Sequence, residues 1–237
     1  MPLWPDLRRR HVTPEVMDRS DLDAAEHARA LRGLSRINSV SGSAGILWPS
    51  LRDLARSTRA DGIRVLDIAT GAGDVPLRLW RKARRAGLRM QVAGCDRSPL
   101  AVETALRQAA DAGADLDFFR LDLFAEPLPT DYDAITCSLF LHHLHEPQAV
   151  DLLRRLAGAA RRMVLINDLA RGLLGYTAVY LGTRVLSRSP VVHTDGPLSM
   201  RAAFTPNEAV ALAWQAGMTG ATVELRWPWR FLLAWVK

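Results

Sequence analysis

The sequence predicts an α/β fold built on an open sheet, and three observations carry that expectation. Residues 65–69 form a short, mostly apolar run suited to a strand buried on both faces, and Gly71 and Gly73 follow it directly before a helical pattern opens. Further apolar runs at 90–95, 116–121, 131–138 and 163–167 alternate with helical patterns at 75–86, 99–112 and 148–160. Asp67 lies inside the first run, while Asp96, Asp122 and Asp168 follow the ends of others, at the sheet edge where open α/β folds bind ligands.

The strand, glycine turn and helix at 64–79 are the centre of the chain. Glycine has no Cβ and tolerates positive φ, so such a turn lets backbone approach a ligand closely. Dinucleotide-binding proteins add a third glycine three residues after the second and receive a pyrophosphate on a bare helix N-terminus. Here Pro76 stands at that place, Asp74 opens the helix, and Asp67 lies four residues before Gly71. Two carboxylates would repel a pyrophosphate, whereas a cationic ligand without phosphate fits, and S-adenosylmethionine (SAM) is such a ligand. The alternative is that Asp74 caps the helix and Asp67 is a satisfied strand acid.

Composition narrows the class. A chain of 237 residues with 49% hydrophobic and 24% charged residues can bury a full core. Cys95 and Cys137 are its only cysteines, so no disulfide framework is expected and a reducing, cytoplasmic setting is the default. Residues 1–11 lack the apolar segment of a signal peptide, and the apolar stretch 172–186 is broken by Arg184 and too short to span a bilayer. The net charge of +6 comes from arginines scattered over helix faces, so nucleic acid is not the expected partner.

Residues 1–60 read as an N-terminal helical extension, with helices near 21–34, capped by Ser20, and 47–57. The small polar stretch between them offers Asn38 and Ser41 to a cofactor edge, or is a plain loop. Asp96 lies 23 residues beyond Gly73, where a carboxylate can accept both hydroxyls of a ribose. Asp122 follows the third strand and precedes Leu123 and Phe124; it is either a loop aspartate or, as in this fold class, the acid that faces an adenine amino group while the neighbouring apolar side chain covers the ring. The fourth strand ends at Ser138 and runs into His142, His143 and His145. No metal is expected there, because adjacent histidines point in different directions and no supporting ligand pattern appears.

After the fifth strand, regularity breaks. Residues 170–204 are too long for a simple connection and carry apolar residues at helical spacing, so they read as a lid over the substrate. Thr205, Pro206 and Glu208 have the form of a helix N-terminus, and runs at 221–226 and 229–236 form a terminal hairpin that completes the sheet.

With these residues placed, the sequence resembles the class I SAM-dependent methyltransferases. The likeness is clear over 64–168, although Val75 stands where the first motif commonly has a third small residue. It implies a Rossmann-like, seven-stranded sheet with an antiparallel last strand in a domain spanning 61–237. It also implies that Gly71 and Gly73 line the methionine end of the cofactor, Asp96 holds the ribose and Asp122 faces the adenine, with Asp67, Leu123, Ser138 and Asn38 among the cofactor-binding residues. The segments at 167–169 and 188–193 look like bacterial small-molecule methyltransferases that accompany type III polyketide synthases and methylate phenolic or pyrone hydroxyls.

Methyl transfer to oxygen requires in-line alignment and removal of a proton, and histidine is available as a base at neutral pH. The candidates are His193 in the lid and His143 after the fourth strand, with Asp168 as an orienting partner. Phe140, Tyr176, Tyr180, Trp227, Trp229 and Phe231 fall in segments expected near the site mouth, so an apolar or aromatic small molecule is the expected substrate. An RNA methyltransferase and a non-catalytic SAM-fold protein are the rival readings.

Overall fold

The computed structural model describes residues 5–16, 23, 42–58 and 62–237. The expected helix at 21–34, its cap Ser20, and the candidates Asn38 and Ser41 lie outside the described residues. The chain runs α1 (Ser43–Ser57), β1 (Ile63–Ile68), α2 (Asp74–Arg85), β2 (Met90–Asp96), α3 (Pro99–Asp111), β3 (Asp117–Arg120), β4 (Ala134–Ser138) and α4 (Glu146–Ala159). It continues through β5 (Met163–Leu169), α5 (Leu173–Leu186), α6 (Pro190–Ala202), α7 (Pro206–Gln215), β6 (Thr222–Arg226) and β7 (Arg230–Val236).

The seven strands form one sheet in the order β3-β2-β1-β4-β5-β7-β6. Strands β1 to β5 pair in parallel, and β7 is antiparallel to both β5 and β6. This is the seven-stranded, Rossmann-like arrangement with an antiparallel last strand. Val65, Leu66 and Ile68 of β1 are fully buried because helices cover both faces. One apolar cluster joins the sheet to α4 and α7 through Leu152, Leu156 and Leu212, and the other joins it to α1, α2 and α3 through Leu47, Leu79 and Ala105. Strand order reverses between β1 and β4, which opens a crevice at their carboxyl ends.

The residues after β5 resolve into two helices rather than an irregular loop. They cross closely because Gly196 of α6 lacks a side chain, and a Cβ there would stand 2.6 Å from Thr183 Cγ2 of α5. The helix start at Thr205 forms as its spacing predicts. Thr205 Oγ1 accepts from the Glu208 amide at 3.3 Å while Glu208 Oε2 accepts from the Thr205 amide at 2.8 Å.

Candidate active site

The crevice begins at the glycine turn after β1. Gly71 and Gly73 adopt φ of 57° and 81°, which a residue with a side chain enters only at a cost. Their surroundings differ. A Cβ on Gly71 would meet nothing within 4 Å, so that position opens into the crevice, whereas one on Gly73 would stand 2.8 Å from Phe118 Cζ and 2.9 Å from Ala105 Cβ. Gly73 lets α2 settle against α3 and β3, and Gly71 leaves the cradle empty.

The flanking acids divide the work. Asp67 is 1% exposed and accepts hydrogen bonds from Thr136 Oγ1 at 2.6 Å and Thr70 Oγ1 at 2.8 Å, so it fixes the turn from beneath. Burial pushes its pKa up to about 6 against the pull of those hydroxyls. Asp96 closes the turn from the side, its Oδ2 accepting from the Gly71 amide and its Oδ1 from the Ser98 amide, both at 2.9 Å. A carboxylate has about four acceptor sites, so Asp96 keeps lone pairs for a ligand hydroxyl.

Asp122 follows β3, where its Oδ1 accepts from the Phe124 amide at 2.9 Å and the Ala125 amide at 3.3 Å. Those bonds, the Phe124 amide foremost, hold its carboxyl below the ordinary carboxylate pKa. Leu123 is buried in the core cluster at 6% exposure, and half-buried Phe124 packs against that cluster beside it. Ser138 ends β4 opposite Asn167 of β5, whose Nδ2 donates to Ser138 Oγ at 3.3 Å. Asn167 Oδ1 is buried there without a partner among the described residues.

The histidines sort themselves by environment. A 3-10 turn after β4, Leu141–His143, brings His142 against Asp168 at the end of β5. The His142 Nδ1 lies 2.6 Å from Asp168 Oδ1, and the His142 amide donates to Asp168 Oδ2 at 3.0 Å. With Nδ1 donating, Nε2 is the free acceptor. Burial would lower the His142 pKa, but the charge and hydrogen bond of Asp168 outweigh it and the net shift is upward. For Asp168, burial raises and the His142 pairing lowers, with a net fall.

Asp168 thus pairs with the imidazole of His142, and not with that of His143 or His193. His143 is held down to about pKa 3 by burial and by its neighbour His142, which makes it a poor proton acceptor. His193 spends Nε2 on the Ser187 carbonyl, 2.8 Å away across the α5–α6 connection. The two adjacent imidazoles, expected to diverge, lie with centroids 4.3 Å apart because the 3-10 turn curls their side chains together.

The N-terminal segment supplies residues that no motif signals. Arg10 Nη2 donates to the His142 and Leu144 carbonyls at 2.7 and 2.6 Å, and the Val16 amide donates to Asp195 Oδ1 of α6 at 2.8 Å. Between these anchors Glu15, which accepts from Ser199 Oγ, places Oε1 3.8 Å from His142 Nε2. A cavity of about 190 Å³ lies here, lined by residues 12–15, His142, His143, His145 and Ala202. Glu15, His142 and His143 bring one carboxylate and two imidazole atoms within 4.8 Å of one another, so the donor set for a metal exists despite the expectation of none. The aromatic residues scatter: Phe231 is fully buried in the core, and Trp227 and Tyr180 are exposed.

Residues 65–162 match the family model described as a methyltransferase domain. The demethylmenaquinone methyltransferase of Thermus thermophilus is 34% identical over 105 residues, which is 43% of this chain and 46% of that protein. Among solved structures, the SAM-dependent methyltransferase SibL superposes with a TM-score of 0.68 at 19% identity, covering 98% of this chain and 64% of that one. An O-methyltransferase family 2 protein from Planctomyces limnophilus, solved with apigenin, gives a TM-score of 0.64 at 18% identity over 92% of this chain and 63% of that one. The chain spans about half the length of the curated relatives it matches. Sheet order, glycine turn and strand-end acids thus define a fold of the class I SAM-dependent methyltransferases. Within it, residues 65–162 are the part that is similar to the methyltransferase-domain family.

Proposed function

We propose that this chain transfers the methyl group of SAM to a hydroxyl of a small apolar or aromatic molecule, with His142 as the base and Asp168 orienting it. The observation that carries the reading is the His142–Asp168 pair, whose imidazole lines a cavity at the same sheet edge as the glycine turn. The residues of the crevice are compatible with SAM: Gly71 leaves room for it, Asp96 retains acceptors for ribose hydroxyls, Asp122 is the acid we assign to the adenine amino group, and Asp74 at the helix start disfavours a phosphate. Bound there, SAM supplies an electrophilic methyl group on a sulfonium.

The chain's own work is alignment and proton removal. His142 would take the proton of the acceptor hydroxyl on Nε2, leaving the oxygen to receive the methyl group that SAM would give up with cleavage of its sulfur–carbon bond. Asp168 holds the resulting imidazolium at 2.6 Å, which is why the raised His142 pKa matters: a phenol titrates near about 10, and a base shifted upward from 6.5 narrows the gap that His143 at about 3 would leave wide. Helices α5 and α6 serve as the cover, with Ala202 in the cavity wall and the segment around Glu15 strapped across. The apigenin complex of the Planctomyces protein and the quinone named for the Thermus relative support a flat aromatic acceptor.

Calorimetric titration with SAM, its demethylated product and NADH, followed by a screen of phenolic acceptors, tests the proposal. Binding of SAM with methylation of a phenol is expected. Binding of NADH, or of SAM without turnover on any acceptor, would overturn it, and a steep fall of affinity for RNA with salt would favour the nucleic-acid rival. A metal-free mechanism makes a further prediction. Chelation with EDTA leaves turnover unchanged, whereas zinc inhibits, because the ion would occupy the His142 Nε2 that must accept the proton.

A further inference from the structure

Helix α5 turns an apolar face outward. Leu173, Leu174, Leu181 and Val185 are exposed at 52%, 75%, 57% and 83%, and Tyr180 shares the face. These residues fall on one side of the helix by the 3.6-residue repeat, opposite Gly175 and Thr183, which are buried against the rest of the protein. At the tip of the β6–β7 hairpin, Trp229 packs on the Gly175 side of the first turn of α5, where a Cβ on Gly175 would stand 3.1 Å from Trp229 Cβ, and Trp227 beyond it is 76% exposed. Contiguous apolar surface of this kind marks an interaction site.

The charges on the face identify what it meets. Exposed Arg184 lies along it, its guanidinium 3.6 Å above the Tyr180 ring, exposed Arg188 follows two residues beyond the end of α5, and the sequence from 170 to 188 contains no aspartate or glutamate. We propose that α5 and the hairpin tip dock on the surface of an anionic lipid bilayer. Leucine and valine enter the acyl boundary, tryptophan and tyrosine sit at headgroup depth, and the arginines meet lipid phosphates, as in helices that lie in the membrane interface. A second copy of this chain is the poorer occupant, since a two-fold seam would set Arg184 and Arg188 against an equally acid-free helix face. Among the described residues no helix is long and apolar enough to cross a membrane, so the association is peripheral.

Co-sedimentation of the full chain with phosphatidylcholine vesicles, with and without phosphatidylglycerol, tests this. Binding is expected to the anionic vesicles only and to weaken as salt rises. The paired substitution Leu174→Asp with Val185→Asp should lower vesicle affinity by about tenfold or more, since it removes the inserted apolar groups and adds like charge. Arg184→Gln with Arg188→Gln should lower it by roughly fivefold per arginine. All four positions face solvent, and far-UV circular dichroism checks that the variants fold. Failure of the wild-type chain to bind anionic vesicles at low salt, or binding untouched by the aspartates, would overturn the proposal. So would a dimer in size-exclusion light scattering that the aspartates dissociate, which would assign the face to self-association. None of these readings depends on catalysis, so the methyl-transfer proposal stands or falls separately.

Discussion

Replacing Asp168 with asparagine will lower turnover by about 10²–10⁴-fold while leaving SAM affinity close to wild type. The carboxylate accepts from His142 Nδ1 and from the His142 amide, and an asparagine side chain can satisfy only one of them. The ring then loses its fixed tautomer, and the imidazolium formed on proton uptake loses its buried counter-charge. The pH profile carries the sign. In the proposed mechanism turnover needs neutral His142, whose pKa is raised above 6.5, so the wild-type rate should rise as pH climbs through a value above 6.5. In the variant the Asp168 charge is gone and burial is the leading influence, so the limb moves to lower pH.

Stability follows the same linkage. A raised histidine pKa stabilises the fold below 6.5 and that contribution is lost as pH rises through the folded value. A lowered aspartate pKa stabilises above 3.8 and is lost as pH falls through its folded value. The melting-temperature difference between wild type and Asp168→Asn is therefore greatest between about pH 4 and 6.5. A stability difference that does not change with pH, together with normal turnover, would show that Asp168 only supports the backbone of the turn.

The second large effect is expected at Gly73. Alanine there must hold φ near 81° and place Cβ 2.8 Å from Phe118 Cζ and 2.9 Å from Ala105 Cβ. A left-handed residue costs about 1–2 kcal/mol, and forcing an extra carbon into packed surroundings costs about 1–3 kcal/mol. Thermal or denaturant unfolding should show a loss of about 3 kcal/mol, with weakened SAM binding as α2 moves off α3. Gly71→Ala provides the contrast. Its Cβ meets nothing, so only the backbone strain of φ 57° is felt, but the new methyl occupies the cradle and SAM affinity should fall out of proportion to stability. Equal losses of stability and affinity in both variants would remove the distinction between a packing glycine and an approach glycine.

The likeness between expectation and structure is uneven for physical reasons. Strand β1, its glycine turn and the start of α7 were legible because each rests on local chemistry: an apolar run, positive φ and a capping box. Asp96 was legible because one strand–helix–strand unit has a regular length. The roles of the histidines were not. His142, His143 and His193 have the same side chain, and their differences come from what surrounds them: a carboxylate on the neighbouring strand, a like-charged neighbour in a buried turn, and a carbonyl at a helix junction.

The alternation of strands and helices and the glycine turn with its acids could be read along the chain, since these depend on periodicity, backbone freedom and charge within short stretches. Tertiary structure alone decided which histidine Asp168 holds, that Leu123 and Phe231 belong to the core, and that Glu15 reaches His142 from the other end of the chain. It also decided which side of α5 meets solvent. Burial and pairing across the sheet edge are set by strand order and helix packing, and no spacing along the chain encodes them.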